Sequence, residues 1–210
     1  MPHNSCRERE RGMTVRKSRE EAAETREKIL DSALEIMSRQ PFSKVSLTKI
    51  AERVGLSKGA VYWHFKNRND LLVSLVEDIN GRMAELSPDW APRSEADVRN
   101  YFAVRLERAR KSRRMLDICR LMMRRFEWPE EVREKIYGIV REKMTQDRIR
   151  LEKFFAGRKT EEYSLPPMEL ATVVSAVFHG LFIAQIDDIA EAGNLARYVD
   201  FVLRALIYAR

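Results

Sequence analysis

Apolar residues recur every three or four positions along most of the chain, which is the period of an amphipathic α-helix. Prolines separate these periodic segments, and proline breaks a helix interior while tolerating its first turn. No alternating pattern typical of a strand extends beyond Ser43–Leu47. The pattern therefore predicts an all-α protein with helices over Thr25–Arg39, Leu47–Val54, Lys58–Phe65, Asp70–Leu86, Glu95–Arg113, Met115–Phe126, Glu130–Phe155, Met168–Ala190 and Leu195–Tyr208.

Small polar residues precede several of these segments and are expected to cap them. Side-chain oxygens of Ser and Thr accept hydrogen bonds from the unpaired N–H groups of a first helical turn. Thr25, Ser46, Ser57 and Ser94 occupy such positions, and Ser94 has capping-box spacing to Asp97. Glycine at the end of a helix permits the turn that follows. We therefore expect helix ends at Gly55, Gly157 and Gly193.

The stretch Ser46–Phe65 has the pattern of a helix-turn-helix. Two short helices are separated by a turn at Gly55–Leu56–Ser57, where glycine permits a positive φ. Ala51 is small at the point where the second helix must cross the first. The apolar positions form one buried seam, namely Leu47, Ile50, Ala51, Val54, Leu56, Val61 and Phe65. In such a motif the second helix lies in the major groove of DNA.

The outer face of the second helix carries side chains suited to DNA. Lys58 is a long donor that fits guanine O6 and N7 or a phosphate, and Ala60 offers a methyl to thymine. Gly59 is small and lets the helix backbone approach the DNA groove, whereas Tyr62 and His64 offer hydrogen bonds to phosphate oxygens. Trp63 has two open interpretations, a DNA contact or packing on the following helix. The full predicted DNA-binding set is Ser46, Thr48, Ser57, Lys58, Gly59, Ala60, Tyr62, Trp63, His64, Lys66 and Arg68, with Lys66 and Arg68 placing phosphates at the start of the fourth helix.

The charge of the chain fits this interpretation. The 210 residues carry a net charge of +7, and residues 1–70 hold 15 Lys and Arg against 10 Asp and Glu. The N-terminal segment concentrates six basic residues before position 20. We expect it to be a flexible basic arm, which is either a solvated tail or a segment that reaches phosphates or a minor groove.

Other classes of protein are disfavoured by composition. Two cysteines and three histidines cannot supply a disulfide framework or a zinc site at ligand spacing, and no serine lies in a nucleophile elbow. No apolar run follows the basic N-terminus as in a signal peptide, and the uncharged stretch Leu170–Ile186 is just under bilayer length. We therefore expect a cytoplasmic protein without enzymatic activity, metal or cofactor. A helical scaffold protein without specific DNA binding remains the alternative.

The residues of the helix-turn-helix resemble the TetR family of bacterial transcriptional regulators. The resemblance covers Ala23–Met83 and is most specific over Gly59-Ala60-Val61-Tyr62-Trp63-His64-Phe65-Lys66-Asn67. It implies a basic arm at 1–22, a three-helix DNA-binding head and connecting helix at 23–83, and a helical effector-binding and dimerisation domain at 84–210. The C-terminal part is similar only in architecture, most nearly to multidrug-efflux repressors.

The resemblance also implies where an effector and a second subunit bind. It places an effector cavity near Cys119, Met123, Ile136, Val140, Phe178, His179 and Phe182. Methionines suit a pocket for varied apolar ligands, although core packing explains most of these residues equally well. The last two predicted helices are both apolar, and the last one carries a wide apolar stripe, which predicts an interface between two copies, with packing on the chain's own core as the alternative. The predicted interface residues are Phe182, Leu195, Val199, Val202, Leu203 and Leu206.

Together these features predict a homodimeric transcriptional regulator, most simply a repressor. It would bind double-stranded palindromic operator DNA and be released by a small, largely apolar effector.

Overall fold

A computed structural model describes residues 4–85, 90–158, 163, 165–184 and 195–208, and it is all-α over these ranges. This confirms the predicted fold class. The helices of the described ranges are α1 (Asn4–Arg39), α2 (Leu47–Val54), α3 (Lys58–His64), α4 (Arg68–Glu85), α5 (Glu95–Lys111), α6 (Arg113–Met123), α7 (Glu130–Ala156), α8 (Pro167–Ala184) and α9 (Leu195–Tyr208). Short 3-10 helices cover Phe42–Lys44 and Arg124–Glu127.

Helix caps explain most of the boundaries. Ser94 and Asp97 form the predicted capping box, and Gly157 ends α7. Ser112, which the sequence analysis did not single out, caps α6 by accepting a hydrogen bond from the Met115 amide. The predicted cap at Thr25 is wrong, because α1 already begins at Asn4 and the Thr25 hydroxyl donates to a carbonyl within the helix, that of Glu21, at 2.8 Å. Gly193 lies outside the described residues.

The chain divides into two units, residues 1–75 and 76–210, and the division falls inside α4. The first unit has its own apolar core. Side chains exposed by no more than 2 % come from each of its four helices, among them Ile29, Leu34, Ile50, Val61, Leu71 and Leu75. This burial fixes the faces of α2 and α3 that point away from solvent.

The second unit has a separate core formed by α5, α7, α8 and α9. The half-buried Phe102 packs against this core and stacks on the buried Phe178, with ring centroids 3.6 Å apart and an angle of 2° between the rings. Val199 and Leu203 of α9 belong to the same cluster. None of the helices in the ranges described is long and apolar enough to cross a bilayer.

Candidate nucleic-acid interface and ligand cavity

Two serine caps and a glycine turn set the geometry of α2 and α3. The Ser46 hydroxyl accepts from the Lys49 amide at 3.2 Å, and the Ser57 hydroxyl accepts from the Ala60 amide at 3.1 Å. Gly55 has φ +70°, as predicted, and the following amide of Leu56 donates to the Ala51 carbonyl at 2.9 Å. The predicted seam is buried at its centre, with Leu47, Ile50, Ala51, Val61 and Phe65 exposed by at most 4 %. One polar face of α3 is therefore left to solvent.

The exposed face of α3 presents a cation, a glycine and two aromatic rings. Lys58 and Gly59 are exposed, and the exposed fractions of Tyr62 and Trp63 are 46 % and 75 %. The Nζ atom of Lys58 lies 5.5 Å from the centroid of the Tyr62 ring. No acidic residue occurs between Lys58 and His64. The structure thus exposes the lysine, the glycine and the tyrosine from which the sequence predicted contacts to DNA.

Trp63 and His64 form an aromatic pair at the end of α3. Their ring centroids are 4.6 Å apart and the rings are nearly perpendicular. The high exposure of Trp63 argues against packing on α4, which was the second interpretation of this residue. Burial, followed by the charge of Arg26, lowers the pKa of His64 from its usual 6.5. At neutral pH His64 is therefore a neutral hydrogen-bonding group.

The start of α4 is already occupied by the protein's own side chains. The Asn67 Oδ1 atom accepts from the amides of Asn69 and Asp70 at 2.9 Å. The Asp70 carboxylate in turn accepts from the Lys66 amide at 2.9 Å. A carboxylate at this helix terminus competes with a phosphate for the same N–H groups. The exposed Lys66 side chain takes no part in these contacts, and its phosphate contact stays a prediction.

Arg68 has an intramolecular role that the sequence did not reveal. Its guanidinium donates to the carbonyls of Phe42 and Ser43 at 3.3 and 3.1 Å and lies 4.8 Å from the centroid of the Phe42 ring. These contacts hold the 3-10 helix that precedes α2. Arg68 thus positions the helix-turn-helix, while a phosphate contact by this residue stays a prediction.

Two further lysines flank the start of α2. Lys44 and Lys49 are exposed on either side of Ser46, whereas Thr48 is half-buried. Neither lysine was among the predicted contacts, because single lysines at polar positions are typical of any solvated helix. Their proximity in the chain to the predicted contact Ser46 makes them additional candidates for phosphate contacts.

A cavity of about 730 Å³ lies within the second unit. Residues of α4, α6, α7 and α8 line it, together with Arg125 from the second 3-10 helix. The apolar wall consists mainly of Val76, Ile79, Ile118, Cys119, Met122, Met123, Val140, Met144 and Ala176. Such a volume and lining are typical of a site for a small organic molecule.

Four of the predicted effector residues line this cavity, namely Cys119, Met123, Val140 and His179. Ile136 and Phe178 do not, which corrects their assignment. Ile136 is fully buried, and Phe178 faces the core through its stack on Phe102. The side chain of Phe182 lies outside the described residues. An apolar period predicts which residues are buried but not whether they face a core or a cavity.

The cavity also contains polar groups that the sequence analysis did not predict. Arg125, Arg141 and Arg148 line it beside Ser175 and His179. Burial, with a smaller effect from the charge of Arg125, lowers the pKa of His179. Burial raises the pKa of the Cys119 thiol to about 12, so this group stays protonated.

The last helix exposes a different face from the one predicted for the interface between copies. Val199 and Leu203 are exposed by at most 3 % and pack into the core of their own chain, so their interface assignment is corrected. Tyr198 and Phe201 are instead 36 % and 71 % exposed. Val202 is half-buried, and the side chains of Leu195 and Leu206 lie outside the described residues. The assignment of Val199 and Leu203 was wrong because the helix is apolar on both sides, whereas the assignment of the other four residues stays a prediction.

Known proteins are similar in sequence to the N-terminal part of this chain. Residues 29–75 match the family model described as "Bacterial regulatory proteins, tetR family". The HTH-type transcriptional regulator AcrR of Shigella flexneri is 40% identical over 83 residues, which cover 40% of this chain and 39% of that protein. The chain thus matches about two fifths of the length of this relative.

Solved structures are similar over nearly the whole chain at low identity. NalD of Pseudomonas aeruginosa, described as the secondary repressor of the MexAB-OprM multidrug efflux pump, has a TM-score of 0.73 at 22% identity and covers 90% of this chain and 98% of its own. A complex of SmeT with triclosan has a TM-score of 0.64 at 22% identity and covers 87% and 91%. At these identities the likeness establishes the shared fold of both units.

Proposed function

We propose that this chain is a member of the tetR family of bacterial regulatory proteins, which its residues 29–75 match, and that it is a transcriptional repressor that a small ligand releases from its operator. The observation that carries this proposal is the outer face of α3. That face is fixed by two serine caps and a buried seam, contains no acid, and presents Lys58, Gly59, Tyr62 and Trp63 to solvent.

DNA recognition follows from the chemistry of this face. With α3 in the major groove, Lys58 at its N-terminal end is the residue suited to a guanine edge. Phosphates are contacted by Tyr62, His64 and the lysines around α2 and α4. These contacts fix the position of the protein on the DNA but do not read the base sequence. Each neutralised phosphate releases counterions, so affinity should fall steeply as salt increases.

The proposed protein acts as a homodimer. Tyr198, Phe201, Val202 and Ala205 recur at three- and four-residue spacing on α9, and three of the four are exposed. A contiguous exposed apolar stripe marks an interaction surface, and a second copy of the chain buries it symmetrically. Two heads would then bind the half-sites of a palindrome about one helical turn of DNA apart, or a multiple of it.

Release requires that ligand and DNA favour different conformations of the dimer. The cavity supplies the ligand site, and the efflux-related and triclosan-bound relatives support a small, largely apolar ligand. Helix α4 contributes Leu71 and Leu75 to the core of the first unit and Val76 and Ile79 to the cavity of the second. A change in the tilt of α4 is therefore our candidate for the coupling step. Coupling of this kind typically changes affinity about 5- to 150-fold, and it is reciprocal.

The decisive experiment measures binding of the purified full-length protein to the DNA upstream of its own gene. Fluorescence anisotropy at several salt concentrations should show specific, salt-dependent binding, and the Lys58→Ala variant should lose sequence preference. A scaffold protein without specific DNA binding would instead bind this fragment no better than a scrambled one. That result would refute the proposed function.

A second variant tests the ligand site separately. Met123 lines the cavity and is 47 % exposed. Met123→Trp should therefore fill the cavity without unfolding the chain, preserve DNA binding and prevent release by the ligand. Unchanged release in this variant would place the ligand site elsewhere.

A further inference from the structure

Every charged side chain that lines the cavity, among the described residues, is an arginine. Arg125, Arg141 and Arg148 line it, and no Asp or Glu does among the residues that the structure describes. Within the same ranges none of the three arginines is paired with a carboxylate. Arg125 donates to the Met122 carbonyl instead, which leaves its charge uncompensated. A cationic ligand would meet like charges here, whereas an anion would meet opposite ones.

Two buried atoms at the cavity have no hydrogen-bond partner among the residues that the structure describes. They are the Nε atom of Arg148 on α7 and the hydroxyl oxygen of Ser175 on α8. Buried polar atoms are nearly always hydrogen-bonded, because leaving them unpaired is costly. An N–H group and a hydroxyl are both donors to a carboxylate, and a charged acceptor makes the stronger bond. These two atoms are therefore candidate donors to an acidic head group.

The rest of the lining fits the body of the same ligand. Arg141 and Arg148 are two helical turns apart on α7, about 10 Å along the axis. Met144 lies between them, and Arg141 is exposed while Arg148 is half-buried. The charge of Arg148 thus lies on the more buried side, and the methionines of α6 and α7 provide an adaptable apolar wall.

From this arrangement we propose that the cavity selects amphiphilic carboxylates, with the acidic head held by Arg148 and Ser175 and the apolar body against the methionine wall. The inference deepens the proposed function, on which it rests, by naming the chemical class of the effector.

The test uses three probes with the same twelve-carbon chain and different heads, namely dodecanoate, dodecanol and dodecyltrimethylammonium. Isothermal titration calorimetry on the full-length protein, below the micellar concentrations, gives each dissociation constant without DNA present. We expect dodecanoate to bind at least 10-fold more tightly than dodecanol and the ammonium to bind most weakly. Equal affinities, or tightest binding of the ammonium, would overturn the proposal.

Variants then locate the head group. Arg148→Met keeps an unbranched apolar stem but removes the guanidinium group, and it should weaken dodecanoate binding about 10- to 150-fold while leaving dodecanol binding unchanged. Ser175→Ala removes only the hydroxyl and should weaken dodecanoate in the same selective way. Arg150→Met is the matched control, because Arg150 pairs with Asp147 on the same helix and does not line the cavity. If both Arg148→Met and Ser175→Ala bind dodecanoate like the wild type, the head-group site is wrong.

Failure of the proposed function has a different signature. Saturating dodecanoate should lower operator affinity in the anisotropy assay. If dodecanoate binds selectively but operator affinity is unchanged, the inference about ligand class holds and ligand-controlled release is refuted. If none of the three probes binds, the inference is refuted, and DNA binding by the same preparation still tests the regulator function.

Discussion

Replacing Gly59 with alanine separates the role of α3 in the fold from its role at DNA. A methyl group built at Gly59 meets only the Ser57 hydroxyl oxygen, at 3.9 Å, which is an ordinary contact. Alanine is favoured over glycine in a helix by up to about 1 kcal/mol. The Gly59→Ala variant should therefore be as stable as the wild type or more so, with a rise in Tm of up to about 2–4 °C for a chain of this size.

DNA affinity should change in the opposite direction. If α3 lies in the major groove, the added methyl points into the space that the DNA occupies. An extra methyl in a packed contact costs about 1–3 kcal/mol, which corresponds to a Kd raised about 5- to 150-fold. Anisotropy with the upstream DNA fragment measures the Kd, and thermal unfolding measures the Tm on the same samples.

Gly138→Ala is the matched control for this experiment. Gly138 lies in α7, is exposed, and has nothing within 4 Å of an added methyl. This variant should gain stability and bind DNA with the wild-type Kd. A Gly59→Ala variant with unchanged Kd would refute the close approach of α3 to DNA, and a lowered Tm would contradict the open surroundings of Gly59.

Three further outcomes are expected. Lys58→Ala should lower discrimination at one base pair by about 1–3 kcal/mol, whereas Lys66→Ala should weaken all sequences alike; an operator library that shows the same preference for both variants would exclude base readout by Lys58. Phe201→Glu should give a folded monomer in light scattering, since this side chain is 71 % exposed within its own chain, and a persistent dimer would place the interface elsewhere. The pKa of His64 is lowered from 6.5 in the free protein, and a bound phosphate raises it again, so DNA affinity should rise as pH falls below about 6.5, and His64→Gln should remove that part of the dependence. Because the fold favours neutral His64, the contribution of this residue to stability is present above pH 6.5 and is lost as the pH falls. Thermal unfolding measured at each pH therefore serves as the control.

The helix-turn-helix was predictable because its signals are local. Ser46 and Ser57 each cap a helix by accepting a hydrogen bond from the amide three residues ahead. The turn at Gly55 depends only on the φ angle of that residue, and the buried apolar seam lies within twenty positions of the chain. The start of α1 was not predictable in the same way. Thr25 has the chemistry of a cap, but its hydroxyl is equally able to donate to a carbonyl of a preceding turn, and nothing nearby in the sequence distinguishes the two.

The cavity and the interface depend on contacts between distant helices. Val199 and Phe201 are both apolar residues of α9, yet one lies in the core and the other faces solvent, because α5 and α8 pack on only one side of the helix. The arginines of the cavity resemble an ordinary solvated helix face in sequence. Only the packing of α7 against α8 brings Arg148 and Ser175 to the lining of the same cavity.

The sulfur atoms of the cavity wall have a consequence for how the protein is handled. Cys119 is an unreactive thiol, because burial holds its pKa at about 12 and the thiolate is the reactive form. Met123 and Met144 are 47 % and 42 % exposed and line the same cavity. Oxidation turns the thioether of methionine into a polar sulfoxide, so peroxide in a detergent or an aged buffer would make an apolar wall hydrophilic. Ligand titrations therefore report on the native cavity only when the methionines are verified as reduced, for which the intact mass of the sample suffices.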